Sequence, residues 1–134
     1  MKKPSETMPR IVRDYKIEPG AKLKGAKLWG ASLEGVDLSV ADLTEANLVE
    51  STLTRSNLSK TVLKGAFLSG AVVDGVNFWG ADLRGVVLDK VSMKNANFKG
   101  ALFDAESLNT LVGCEWSEAV FDDEIIEKLR KMRR

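Results

Sequence analysis

Large apolar residues recur at every fifth position from Leu23 to Leu108 without a slip. These 18 positions hold thirteen Leu, three Phe (Phe78, Phe98, Phe103), Val73 and Met93. Two residues before each lies a second register, Ala21 to Glu106, in which 17 of 18 residues are Ala, Val, Ser or Thr. Two residues after each lies a third, where nine of the eleven glycines fall, from Gly25 to Gly100. A period of five fits neither the 3.6 of a helix nor the 2.0 of a strand, so neither element can hold these residues on one side for long. Each unit is therefore predicted to be a short extended piece, with its small and large residues facing inward, followed by a corner. One unit is too small to bury a core alone, so the units must stack on one another.

Glycine two residues past the large side chain fits the third position of a type II turn, which needs φ > 0. From Val40 to Lys60, however, that slot reads Val40, Glu45, Glu50, Arg55 and Lys60. Residues of this kind avoid the left-handed region, so the expectation is a different corner, with φ < 0, along that stretch.

Units such as Ala41-Asp42-Leu43-Thr44-Glu45, Ala46-Asn47-Leu48-Val49-Glu50 and Ala81-Asp82-Leu83-Arg84-Gly85 resemble the A(D/N)Lxx consensus of the pentapeptide-repeat family, over 90 of 134 residues. The resemblance implies an all-β fold, a right-handed quadrilateral β-helix with four units per coil, large residues stacked inside and small ones beside them. Residues 21–110 would then make about 4.5 coils, roughly 22 Å tall at a strand spacing of about 4.8 Å. Four inner columns are predicted, one of which reads Leu38, Leu58, Phe78, Phe98.

A solenoid end exposes unpaired backbone edges and apolar side chains and must be covered. Glu106 breaks the small register in the last unit, where the coil is expected to open. Residues 111–134 are read as a C-terminal cap. Asp122 or Asp123 can cap an amphipathic α-helix with Ile125, Ile126, Leu129 and Met132 on one stripe, acids in its first turn, and Arg130, Lys131, Arg133 and Arg134 in its last. Residues 1–20 are read as an N-terminal tail and cap, disordered over the first ten, with Ile11, Val12, Tyr15 and Ile17 folding over the first coil.

The 20 Lys and Arg nearly cancel the 19 Asp and Glu, and residues 21–110 are neutral, which leaves no strong field for nucleic acid or an anionic membrane. The single Cys114 allows no intrachain disulfide, and no signal-like or spanning apolar run is present, so a cytoplasmic location is expected. Histidine is absent, which removes Ser-His and Cys-His nucleophile pairs and disfavours zinc. Glycines five apart cannot form the loops that cradle phosphate. No catalytic residue, cofactor, metal or small-molecule substrate is expected.

Two outward sets remain. The column Asp37, Asn57, Asn77, Asn97 is expected to stack amide on amide, and Glu34, Arg55, Asp74, Lys94 to alternate in sign between coils; both read as fold maintenance. The apolar residues Trp29, Val49, Val62, Phe67, Val72, Trp79 and Val87 fall in solvent-facing slots and form the candidate interaction surface. The leading reading is a non-enzymatic protein-protein interaction or scaffold module, its partner another protein or a second copy of itself. The alternative comes from the family resemblance: a DNA-mimicking protein that binds DNA gyrase and gives quinolone resistance. Such mimicry requires a negative rod, and here ten acids and ten bases share residues 21–110.

Overall fold

The computed structural model describes residues 10–133. The expectation of disorder concerns residues that lie outside this range, apart from Arg10, and Arg134 lies outside it too. Thirteen parallel bridges each join residues 20 apart, from Lys22 with Asp42 to Asp82 with Leu102. Twenty residues per coil and five per unit give four sides. Face 1 carries residues 21–23 and their equivalents in later coils, face 2 residues 26–28, face 3 residues 31–33 and face 4 residues 36–38. Both inward registers are buried through the body, apart from the half-buried Phe103 at its end, with Leu28 to Leu88 in the large register wholly enclosed. Ser51, Ser56 and Thr61 are tolerated there because each hydroxyl donates to a backbone carbonyl, Leu48, Leu53 and Leu38 respectively, at 2.6–2.7 Å.

The corner prediction for residues 40–60 is corrected. Val40, Glu45, Glu50, Arg55 and Lys60 all have φ between 56 and 59°, the same hand as the glycine corners. Two backbone bonds decide the matter at each corner. Val40, for example, donates its N–H to the Ser59 carbonyl of the next coil at 3.0 Å, while Ala41 N–H closes the turn on Leu38 at 3.2 Å. A φ < 0 corner would forfeit both bonds, at about 1 kcal/mol each plus the desolvation of any group left unpaired. That outweighs the roughly 1–2 kcal/mol of a left-handed residue. The glycines one coil on have a second role. A Cβ on Gly75 would lie 3.1 Å from Arg55 Cγ, so the Arg55 stem is draped over the glycine corner beside it.

The repeat stops at Asp104. The expected last unit, residues 106–110, is instead part of helix α1, Ala105–Leu111, so the coil body ends about six residues earlier than the predicted 110. Asp104 caps α1 by accepting from Ser107 N–H at 3.0 Å, and the same carboxylate oxygen accepts Gly85 N–H of the coil at 3.0 Å. One side chain thus breaks the repeat and fastens the helix to the last full coil. The chain then returns. Asn97 bridges Val120, Phe98 N–H donates to the Val120 carbonyl at 2.7 Å, and Phe121 stacks on Phe98 at 4.8 Å between ring centroids. With Phe78 on Phe98 at 4.7 Å, three rings continue the face 4 column at the spacing of the coils.

Helix α2, Asp123–Met132, closes the base as predicted, with Leu129 buried and Ile125 and Ile126 packed against the core. Asp122 occupies the N-cap position, but its carboxylate accepts the Gly100 N–H at 3.1 Å, so it ties the helix to the coil and does not bond the helix's own amides. Arg133 binds the carbonyls of Val112 and Cys114 at 2.6 Å and lies over the Trp116 ring. At the other end β1, Arg10–Val12, and β2, Tyr15–Ile17, form a hairpin through Arg13 and Asp14, both with φ > 0. It blunts the open edge: the Tyr15 hydroxyl accepts Lys27 N–H at 3.1 Å, and Arg10 and Arg13 donate to the Glu34 and Lys27 carbonyls.

Candidate functional site

Every unit offers three outward residues: one in the middle of a face and two at a corner. The face residue explains the consensus Asp or Asn. Asp37, Asn57, Asn77 and Asn97 each accept, at 3.0 Å, the N–H of the residue two positions on, which fixes the corner as Asx turns do. The expected amide ladder is therefore reduced to a single contact, Asn97 to Asn77 at 3.4 Å. Asp42 and Asp82 do the same for Thr44 and Arg84. A hydroxyl bond from Thr44 is the main cause of the lowered Asp42 pKa, and the Arg84 guanidinium, at 2.7–2.9 Å, of the lowered Asp82 pKa. In the sign-alternating set Asp74 accepts Ser92 hydroxyl and Lys94 N–H, so it too serves the backbone of the next coil.

The seven apolar candidates do not form one patch. Trp29 and Val49 share the corner between faces 2 and 3, but the Arg13 guanidinium covers the Trp29 ring at 4.7 Å, which makes Trp29 part of the N-terminal cap. Phe67 and Val87 are bridge partners on face 2, with Asn47 above them; Phe67 is exposed and Val87 half-buried. Val62 and Val72 lie on faces 1 and 3, each half-buried. Trp79 stands apart from all of these, exposed at the corner between faces 4 and 1.

Three exposed apolar residues around that corner escaped the sequence reading: Val40, Leu102 and Val120. Val40 occupies the same corner two coils above Gly80, Leu102 lies on face 1, and Val120 is on face 4. Val40 and Leu102 were legible as apolar intrusions in slots that elsewhere hold Gly or polar residues. Val120 was hidden because its unit, Ala119-Val120-Phe121-Asp122-Asp123, repeats the motif three residues out of phase.

The site offers little for bond-making chemistry. Among the described residues no cluster of three or more His, Cys, Asp and Glu is placed to hold a metal ion, and no helix is long and apolar enough to cross a membrane. Cys114 is buried, its thiol bonded to the Leu88 carbonyl at 3.0 Å, and burial pushes its pKa up, away from the thiolate a nucleophile needs. An apolar hollow of about 400 Å³ lies beneath the coil between α1 and α2, over Phe103, Leu108 and Met132.

A family model for pentapeptide repeats matches eight copies, over residues 21–59, 37–72 and 68–104. Among solved structures, a pentapeptide repeat protein from Nostoc PCC 7120 is 26% identical over 82% of this chain and 78% of its own, with a TM-score of 0.59. A pentapeptide repeat protein from the cyanobacterium Cyanothece 51142 is 29% identical over 78% of this chain and 63% of its own, with a TM-score of 0.34. QnrB1, a plasmid-mediated fluoroquinolone resistance protein, is 14% identical over 85% of this chain and 61% of its own, with a TM-score of 0.49. No curated protein matches the chain. Repeat matches that run from Ala21 to Asp104, on a coil of four five-residue sides, establish that the chain belongs to the pentapeptide-repeat family.

Proposed function

We propose that the protein is a non-enzymatic, cytoplasmic interaction module whose partner is another protein. The observation that carries this reading is the division of labour along the chain. Inward positions are consumed by the core and the recurring Asp and Asn slots by corner hydrogen bonds, while large apolar side chains such as Phe67 and Trp79 stand in solvent on a wall already fixed by its backbone ladder. Binding on such a wall orders little, so few contacts suffice for a specific complex. A buried Cys114 with no second cysteine to pair with is consistent with the reducing cytoplasm.

The test is photo-crosslinking in cells, with a benzophenone side chain placed in turn at positions 67, 79 and 52. The first two are apolar sites of the wall, and Thr52 is a polar position on face 3. A discrete adduct with a second protein from position 67 or 79, missing from position 52, is the expected result. No adduct at any of the three, or the same adducts at all of them, would remove the reading.

A further inference from the structure

Val40 is the one β-branched residue among the non-glycine corners with φ > 0, and it is 64% exposed. A β-branched residue in the left-handed region is a true outlier. The corner's two backbone bonds require φ > 0 there but would form as well with glycine, and the side chain is mostly exposed, so neither the backbone nor the core accounts for a valine at this corner. The corner between faces 4 and 1 has further distinguishing features. Going down it the outward residues are Ser39, Val40, Ser59, Lys60, Trp79, Gly80, Lys99 and Gly100, with no acid before Asp122 at the base. The ammonium of Lys60 sits over the Trp79 ring at 5.2 Å and has no carboxylate within 4 Å among the described residues. Lys99 reaches Asp122 only at 3.9 Å. The indole is laid along the corner, its Nε1 3.6 Å from where a Cβ of Gly100 would be, and Leu102 and Val120 are exposed on either side below it.

We infer that this corner, Val40, Lys60, Trp79, Lys99, Leu102 and Val120, is the docking surface, and that its occupant is an acidic segment of another protein bearing a bulky apolar anchor. This rests on the interaction reading above. The charge of the corner selects the occupant: two cations flank the tryptophan, and a partner carboxylate can meet Lys60 without first displacing an intrachain ion pair. The indole N–H, which bonds nothing among the described residues, offers that carboxylate a second donor. A second copy of this chain fits less well, because antiparallel apposition about Trp79 sets Lys60 of one copy against Lys99 of the other. The other three corners lack the combination. Between faces 1 and 2 and between faces 3 and 4 they hold no apolar residue, and between faces 2 and 3 the acids Glu50 and Asp89 share the corner with Trp29.

The full chain is to be panned against a displayed library of random 12-residue peptides, and the consensus peptide titrated by calorimetry. Enriched peptides should combine Asp or Glu with a large apolar residue. Lys60→Glu and Trp79→Ser should each weaken binding about tenfold or more, as central aromatic and charged anchors do. Val40→Gly should weaken it while raising Tm, and Thr52→Ala, on face 3, should leave it unchanged; Trp79→Phe should retain part of the affinity. Enriched peptides indifferent to Lys60→Glu and Trp79→Ser would overturn this assignment while leaving the interaction reading intact. Failure to enrich any peptide also overturns it, and the crosslinks then decide the interaction reading separately. A dimer in sedimentation equilibrium that Trp79→Ser dissolves would replace the acidic partner with a second copy.

Discussion

Glycine and its substitutes at the corners have opposite reasons for being there. At Gly75 two demands coincide, φ of +69° and an Arg55 Cγ that would lie 3.1 Å from a Cβ, so Gly75→Ala is expected to lose about 1–2 kcal/mol. Val40→Gly should move the other way. It relieves the left-handed strain and gives up little burial, so stability should rise by about 1 kcal/mol and Tm by about 3–4 °C. Urea unfolding of the two variants checks both signs. Residue propensity taken corner by corner points to φ < 0 from Val40 to Lys60. The coil weighs it against two hydrogen bonds shared with neighbouring chain segments, and those win. The Asp and Asn column behaves similarly: its position suggests a ladder between coils, but the nearest donor is the amide two residues along.

At the scale of elements, the body and α2 were legible because each follows a strict period. Helix α1 and the returning strand were not: α1 begins where the repeat would have continued, and the unit around Phe121 is out of phase. Both depend on Asp104 and Asp122 reaching back to Gly85 and Gly100, contacts with no local signature. The amides of Ser107 and Gly85 hold the Asp104 carboxyl below its ordinary value of 3.8. A depressed folded pKa means that its contribution is complete above the unfolded value and is lost as pH falls through the folded one. The urea midpoints of wild type and Asp104→Asn should therefore differ by a constant amount above about pH 5 and converge below about pH 4. A gap that persists at low pH would mean that the carboxylate charge is immaterial. Cys114 reports on the same cap. Buried and bonded to Leu88, it should react with a thiol reagent only as fast as the C-terminal cap opens; labelling at the rate of a free thiol would contradict the packing.

For the molecule as a whole, the fold could be read from the inward registers because they carry nothing else, and the candidate site could be read only in part. Trp79 and Phe67 were visible as exposed slots, but their separation onto different sides required the coil geometry, as did the recruitment of Trp29 by Arg13. The wall also bears on the DNA-mimic alternative. Asp37, Asp42, Asp74 and Asp82 are spent on corner bonds, and Glu34, Glu45 and Glu50 are interspersed with the ten bases of residues 21–110, so no phosphate-like stripe results. Gyrase supercoiling is accordingly expected to proceed unhindered at low micromolar protein. The central claim is that inward residues make the fold and one outward corner makes the function. It is tested most directly by the affinity of the crosslinked partner for the Lys60→Glu, Trp79→Ser double variant, with Tm followed alongside. A loss of about 30-fold or more with Tm within about 2 °C of wild type is predicted, as for an exposed anchor worth about 2 kcal/mol. Unchanged affinity, or affinity and Tm falling together, would contradict it.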